Sequence, residues 1–218
     1  GHLAPALRRR RPLDDAGRAQ MLLHVITQLQ ETGQLAKVPV YLNSPMAASV
    51  SGLYRTFPRL HRLDAHALAA MERNVHVVDS VEASKALNRR KGPMIIVSAS
   101  GMATGGRVLH HLLAFAPEPR NAIVLCGFQA GGTRGAALAA GQKQLRIFGQ
   151  EVPVGAEVVQ LAAGSAHADG DEILAWLRSA PTPPRKVFVT HGEPDAADAL
   201  RARIEHELGC KINEMYAE

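Results

Sequence analysis

A chain of 218 residues, 46% hydrophobic and 21% charged, has enough apolar surface for one full core and part of a second, which excludes a wholly disordered chain. Its 25 Lys and Arg against 20 Asp and Glu leave a formal charge of +5, which permits a polyanionic partner, while 4% aromatic content argues against a surface built from stacked aromatic platforms. No run of about 18 apolar residues occurs, so no membrane span is expected; Cys126 and Cys210 lack zinc-type spacing and read as reduced thiols of a cytoplasmic protein.

Residues 1–16 contain Pro5, Pro12 and the run Arg8 to Arg11 without apolar periodicity, and read as a tag or a tail outside the fold. From Gly17, the residues Met21, Leu22, Val25, Ile26 and Leu29 repeat at helical spacing, with Gly33 as the stop. A strand at 38–42 and a turn at Asn43-Ser44-Pro45 follow, then a helix at 65–72 and a strand at 75–78. Asp79 with Glu82 has the spacing of a capping box for a helix ending near Asn88. Next come a strand at 94–98, a helix at 107–116, a strand at 122–126 and a helix at 133–140. This rhythm predicts an α/β domain over 17–141, a parallel sheet with helices on both faces. Over 142–218 the rhythm shortens: strands at 145–148 and 157–161, a helix at 170–178, a Pro-rich link at 181–184, a strand at 186–189, a helix at 195–208 and a strand around 211–215. That part is too sparse for a separate domain and reads as completing a sheet begun elsewhere.

Two glycine-rich loops each join a predicted strand to a predicted helix. The first contains Ser100, Gly101, Gly105, Gly106 and Arg107; the second contains Gly131, Gly132 and Thr133. Exposed backbone N–H groups at the end of a parallel strand form an anion site, so these residues are candidates for phosphate contact. The other reading is that the glycines only permit tight turns. The first loop has P-loop glycine spacing, but Arg107 replaces the lysine and Val108 stands where a magnesium-binding hydroxyl is required, which argues against an ATPase.

Of ten histidines, His24, His110 and His111 fall in helical patterns, and His61, His66, His76 and His206 lack a companion at ligand spacing. His167, with Asp169, and His191, with Glu193, each follow a short apolar strand and precede a helix, where a side chain can project into a cleft. Zinc needs three or four ligands, so these two cannot complete a site.

Several motifs recur in a fixed order: Tyr41-Leu42-Asn43-Ser44-Pro45-Met46-Ala47, Glu82 to Asn88, Ser100-Gly101-Met102 through Gly105-Gly106-Arg107, Gly127-Phe128-Gln129, Arg146-Ile147-Phe148-Gly149, Ser165 to Asp169 and His191-Gly192-Glu193. Together they resemble the β-CASP nucleases of the metallo-β-lactamase superfamily, the family of the mRNA 3′-end cleavage endonuclease. The resemblance implies a β-CASP domain over 17–141 and, over 142–218, a return segment of the metallo-β-lactamase domain. It implies hydrolysis of RNA phosphodiester bonds in RNA processing or decay, with two zinc ions per complete parent enzyme. His167 matches the histidine beside the scissile phosphate, the candidate catalytic residue, and His191 matches a zinc ligand.

The HxHxDH zinc motif and the first β-CASP acid lie upstream of the matched region and are absent from this chain, while Asn43 replaces a common aspartate and Gly164 a common phenylalanine. The expected partners are RNA and a missing N-terminal metallo-β-lactamase part, with room for a homodimer. The chain is then either an inactive piece of a zinc-dependent ribonuclease or a noncatalytic RNA- or protein-binding module derived from that family.

Overall fold

The computed structural model describes residues 17–161, 168–182, 184–190, 192–209 and 212–214. They fall into two compact units, the first ending with the strand at Glu157–Leu161 and the second beginning with the helix at Gly170–Arg178.

In the first unit, the helix α1 (Arg18–Glu31) is buried along most of its length. Strand β1 (Val40–Leu42) is the middle of a three-stranded parallel sheet, flanked by β2 (Val75–Val77) and β3 (Ile95–Val97). Leu23 and Ile26 of α1 pack on Val40 and Leu42, while Met21, Val25 and Leu29 face Leu161, so the helix serves two cores with two stripes.

Connecting β1 to β2 are helices α2 (Pro45–Thr56) and α3 (Ala65–Asn74). Helix α4 (Val81–Leu87) then leads to β3. The structure corrects two sequence expectations here. Asn43-Ser44-Pro45 is not a free turn but a helix start, with the Ser44 hydroxyl accepting from the Ala47 N–H at 3.2 Å and Pro45 in the first turn, where its missing N–H costs nothing. The cap of α4 is Ser80, not Asp79: its hydroxyl accepts from the Ala83 N–H at 3.1 Å.

Helix α5 (Arg107–Phe115), strand β4 (Ala122–Cys126) and helix α6 (Arg134–Ala139) precede a hairpin of β5 (Gln144–Ile147) and β6 (Gln150–Pro153). Strand β7 (Glu157–Leu161) pairs in parallel with the whole of β4, so the compact unit runs past residue 141. Leu109, Leu112, Leu125, Leu138, Leu145, Ile147 and Val152 form the core between them.

The β5–β6 turn is the two residues Phe148 and Gly149, with φ of 49° and 79°. Two positive φ values mark a type I′ turn, whose twist matches the flanking strands. A glycine accepts that backbone freely, whereas Phe148 gives up about 1–2 kcal/mol in adopting it.

In the second unit, helix α7 (Gly170–Arg178) opens with a complete capping box between Asp169 and Glu172. Strand β8 (Val187–Val189), helix α8 (Pro194–Leu208) and strand β9 (Ile212–Glu214) follow, with β8 and β9 parallel. Leu174 and Ile204 seal the two helices together, and Arg203 bridges Asp171 at 2.7 Å and Glu207 at 3.1 Å on the exposed side.

At Gly155, between β6 and β7, an added Cβ would overlap the Pro117 carbonyl oxygen, and the Gly155 N–H donates to the Ala116 carbonyl at 2.9 Å. Gly155→Ala therefore destabilises the fold by about 1–3 kcal/mol, read as a lowered midpoint in thermal denaturation; an unchanged midpoint would mean the 116–119 turn yields freely.

Candidate functional site

The parallel strands β1, β3 and β4 all deliver their carboxyl ends to loops, and those loops are where the polar side chains gather. The first loop leaves β3 and is tied back at once, since the Ser98 hydroxyl donates to the Asn43 carbonyl at 3.2 Å. It then closes on itself: the Ala103 N–H meets the Ser100 carbonyl at 2.9 Å, and the Ser100 hydroxyl accepts from the Gly105 N–H at 3.4 Å. Ser100 and Ala103 hold φ of 73° and 52°, left-handed values that non-glycine residues rarely adopt, and Gly106 enters α5 at 79°.

The second loop leaves β4 and ends at Thr133, whose hydroxyl donates to the Ala130 carbonyl at 2.7 Å and accepts from the Ala136 N–H at 3.1 Å. The two loops touch. The Gly135 N–H donates to the Met102 carbonyl at 2.9 Å, and any side chain at Gly135 would overlap the Gln129 amide. Arg134 fastens the loops to the hairpin, its Nε donating to the Arg146 carbonyl at 2.6 Å and its Nη1 to the Ala103 carbonyl at 3.4 Å. Between them opens a polar cavity of about 370 Å³ lined by Thr104, Gly132, Thr133, Arg134, Gln144 and Arg146.

The structure thus brings together both sets of sequence-predicted loop residues. Gly101, Gly106, Gly131 and Gly132 are exposed, with Ser100, Gly105 and Thr133 half-buried beside them. Arg107 points the other way, into the protein. Its Nη1 donates to Asn43 Oδ1 at 2.8 Å and to the Val78 carbonyl at 2.9 Å, and its Nη2 donates to the Asp79 carbonyl at 2.7 Å. The guanidinium therefore ties the ends of β1 and β2 together. His167 and His191 lie outside the described residues.

Behind Arg107 lies a buried network that spacing alone did not single out. Asn43 Nδ2 donates to the Ser84 hydroxyl at 2.8 Å and lies 2.6 Å from His111 Nε2, while His111 Nδ1 lies 2.6 Å from Asn88 Oδ1. Because Arg107 claims the Asn43 oxygen, the Asn43 amide must donate to His111, so Nε2 accepts and Nδ1–H donates to Asn88. The ring is neutral in this arrangement. Burial, then the neighbouring His110 and Arg107, lower its pKa from 6.5 to about 4.

Among the described residues, no three His, Cys, Asp or Glu side chains gather as a metal site, so a zinc ion finds no donor set within them. No helix of the described residues is long and apolar enough to cross a membrane.

Residues 19–138 match the model of the Beta-Casp domain, and residues 151–217 match that of the Zn-dependent metallo-hydrolase RNA specificity domain. The chain belongs to the β-CASP family. Its two matched domains place it in the metallo-β-lactamase fold family, in keeping with its α/β architecture. It is 42% identical over 192 residues to Ribonuclease TTHA0252 of Thermus thermophilus, covering 84% of this chain and 42% of that protein. It is 32% identical over 183 residues to an RNase J-like protein of Methanocaldococcus jannaschii, covering 84% of this chain and 42% of the relative. It is 28% identical over 209 residues to the transcription termination factor FttA of Methanosarcina mazei, covering 90% of this chain and 33% of that factor. The chain spans well under half the length of these relatives.

Within this β-CASP domain, Asn43 occupies a position where the resemblance leads one to expect aspartate, and the network shows what the difference does. A carboxylate would still accept from Arg107 but could also accept from His111 Nε2–H, favouring the charged ring. NMR titration should find His111 as the Nδ1–H tautomer with a pKa near 4, and Asn43→Asp should raise that pKa. The sign for stability follows from the unfolded chain, which binds a proton at 6.5 that the folded one refuses until about 4. Stability is complete above that window and falls as pH drops through it, by up to about 3 kcal/mol. A His111 titrating near 6.5 would overturn the network as drawn.

Proposed function

We propose that this chain is the RNA-holding portion of a zinc-dependent ribonuclease that hydrolyses phosphodiester bonds in RNA processing or decay, and that by itself it binds RNA without cutting it. The observation that carries the reading is the pairing of a Beta-Casp domain with an RNA specificity domain of Zn-dependent metallo-hydrolases, in that order, in a chain 42% identical to a ribonuclease. The geometry supports it. Two glycine loops meet at the carboxyl ends of parallel strands, with Gly101, Gly106 and Gly132 exposed and two arginines lining the cavity beside them.

In this reading the phosphate path runs along Ser100, Gly101, Gly105, Gly106, Gly131, Gly132 and Thr133. Arg107 shapes the path from behind, with its Nε–H and one Nη2–H left to reach a phosphate. His167 protonates the leaving oxygen and His191 is a zinc ligand, both only in the complete protein, whose further ligands come from outside this chain.

The isolated chain should hold no stoichiometric zinc after dialysis and show no RNase activity above background, while binding single-stranded RNA weakly, with affinity falling steeply as salt rises. Two zinc per chain, or binding indifferent to salt, would refute this division of labour.

In the complete parent protein, His191→Ala should lower zinc content and activity together. His167→Ala should leave zinc in place while the rate falls by roughly 10² to 10⁴. Equal zinc loss in both variants would make His167 a ligand as well.

A further inference from the structure

The residue at the first position of the β5–β6 turn is an odd choice for folding. Type I′ turns favour Asn or Gly there, because the backbone must hold φ positive. Phe148 holds φ at 49° and is itself 52% exposed, so the chain accepts backbone strain at a residue it does not bury in return.

The ring nevertheless has an aromatic neighbour. The imidazole of His110 lies 4.7 Å from it, centroid to centroid, with the planes inclined by 33°. His110 is itself exposed and stands on α5 one turn beyond Arg107, on the helix that grows out of the first glycine loop. Two residues before Phe148 on the exposed face of β5 is Arg146, which lines the polar cavity with Thr104, Thr133 and Arg134. The Arg146 guanidinium makes no hydrogen bond or ion pair among the described residues, whereas Arg134 is spent on backbone carbonyls. An exposed aromatic residue thus stands close in sequence to a cation with no partner among the described residues and to a glycine-rich loop.

We propose that Phe148, braced by His110, is a stacking platform for one base of a single-stranded RNA whose phosphates follow Arg146 and the glycine loops. The proposal rests on the RNA-holding reading above and adds to it a contact to a base rather than to the backbone. Stacking on a single ring tolerates every base, since each presents a π-face. A 4% aromatic content is too low for a continuous aromatic surface but not for one such platform.

The decisive variant is Phe148→Asn in the full 218-residue chain. Asparagine suits the left-handed turn, so the melting temperature should hold or rise while the ring is lost. Fluorescence anisotropy would compare a labelled oligoadenylate with an abasic strand of equal length and charge. Phe148→Asn should weaken oligoadenylate binding roughly ten-fold and leave the abasic strand unaffected, and His110→Ala should shift the same arm in the same direction by less. Unchanged oligoadenylate affinity in Phe148→Asn, with salt-sensitive binding retained, overturns the platform alone. Equal loss on both strands overturns it too, because the ring would then act through the fold. If the unsubstituted chain binds neither strand, the RNA-holding reading falls and the platform with it.

Discussion

The side-chain amide of Asn43 meets two neighbours of opposite demand: the guanidinium of Arg107 can only donate, and the nitrogen of His111 that faces it must accept. Only one orientation of the amide satisfies both, and that orientation fixes the tautomer of the ring it touches. The chain of contacts continues in each direction, through Arg107 to the carbonyls that end β2, through Ser84 and Asn88 to α4, and through the Asn43 carbonyl to Ser98 at the root of the first loop. A buried polar network of this kind is favourable only when every member is matched. The end of the central strand, the start of α5 and the loop between β3 and α5 therefore hold their positions together.

The second loop depends on the first for the same kind of reason. Its Gly135 N–H is used on Met102 and its Arg134 reaches Ala103, so the loop after β4 is shaped by the loop after β3. Gly135 is a glycine because the Gln129 amide lies where a Cβ would go. Each loop is thus shaped by hydrogen bonds within itself and to its neighbour.

Much of this architecture is legible in the sequence because burial there follows period. The stripes of α1, the alternation in β5 and the apolar run of β4 are each set by what the element packs against, and the glycine loops stand out between them. The misses have separate causes. Helix α2 hides behind Asn43-Ser44-Pro45, where a serine cap followed by proline is as good a helix start as it is a turn. Asp79 and Ser80 are both competent caps, and the backbone at Ser80 decides between them. Strand β6 is obscured because Phe148-Gly149 is not a turn pair that composition rules recognise. His111 lies on an apolar helix face like many core histidines, and only Asn43, 68 positions earlier, reveals its state. Arg107 is conspicuous in the loop motif, but no spacing rule says that its guanidinium turns inward.

The parallel pairing of β4 with β7 has a bearing on how the chain is made. All five residues of β4 find their strand partner only in residues 157–161, beyond a helix and a hairpin. A ribosome delivers β4 well before β7, and for that interval the strand presents an unsatisfied backbone edge to its surroundings. The sheet around β1 meets the same delay, since Val40 pairs with Val75 and Ile95 much as Ala122 pairs with Glu157. Synthesis thus leaves each central strand waiting in its turn, so a slow stretch of translation between residues 42 and 75, or between 126 and 157, would lengthen the period in which the nascent chain is open to mispairing.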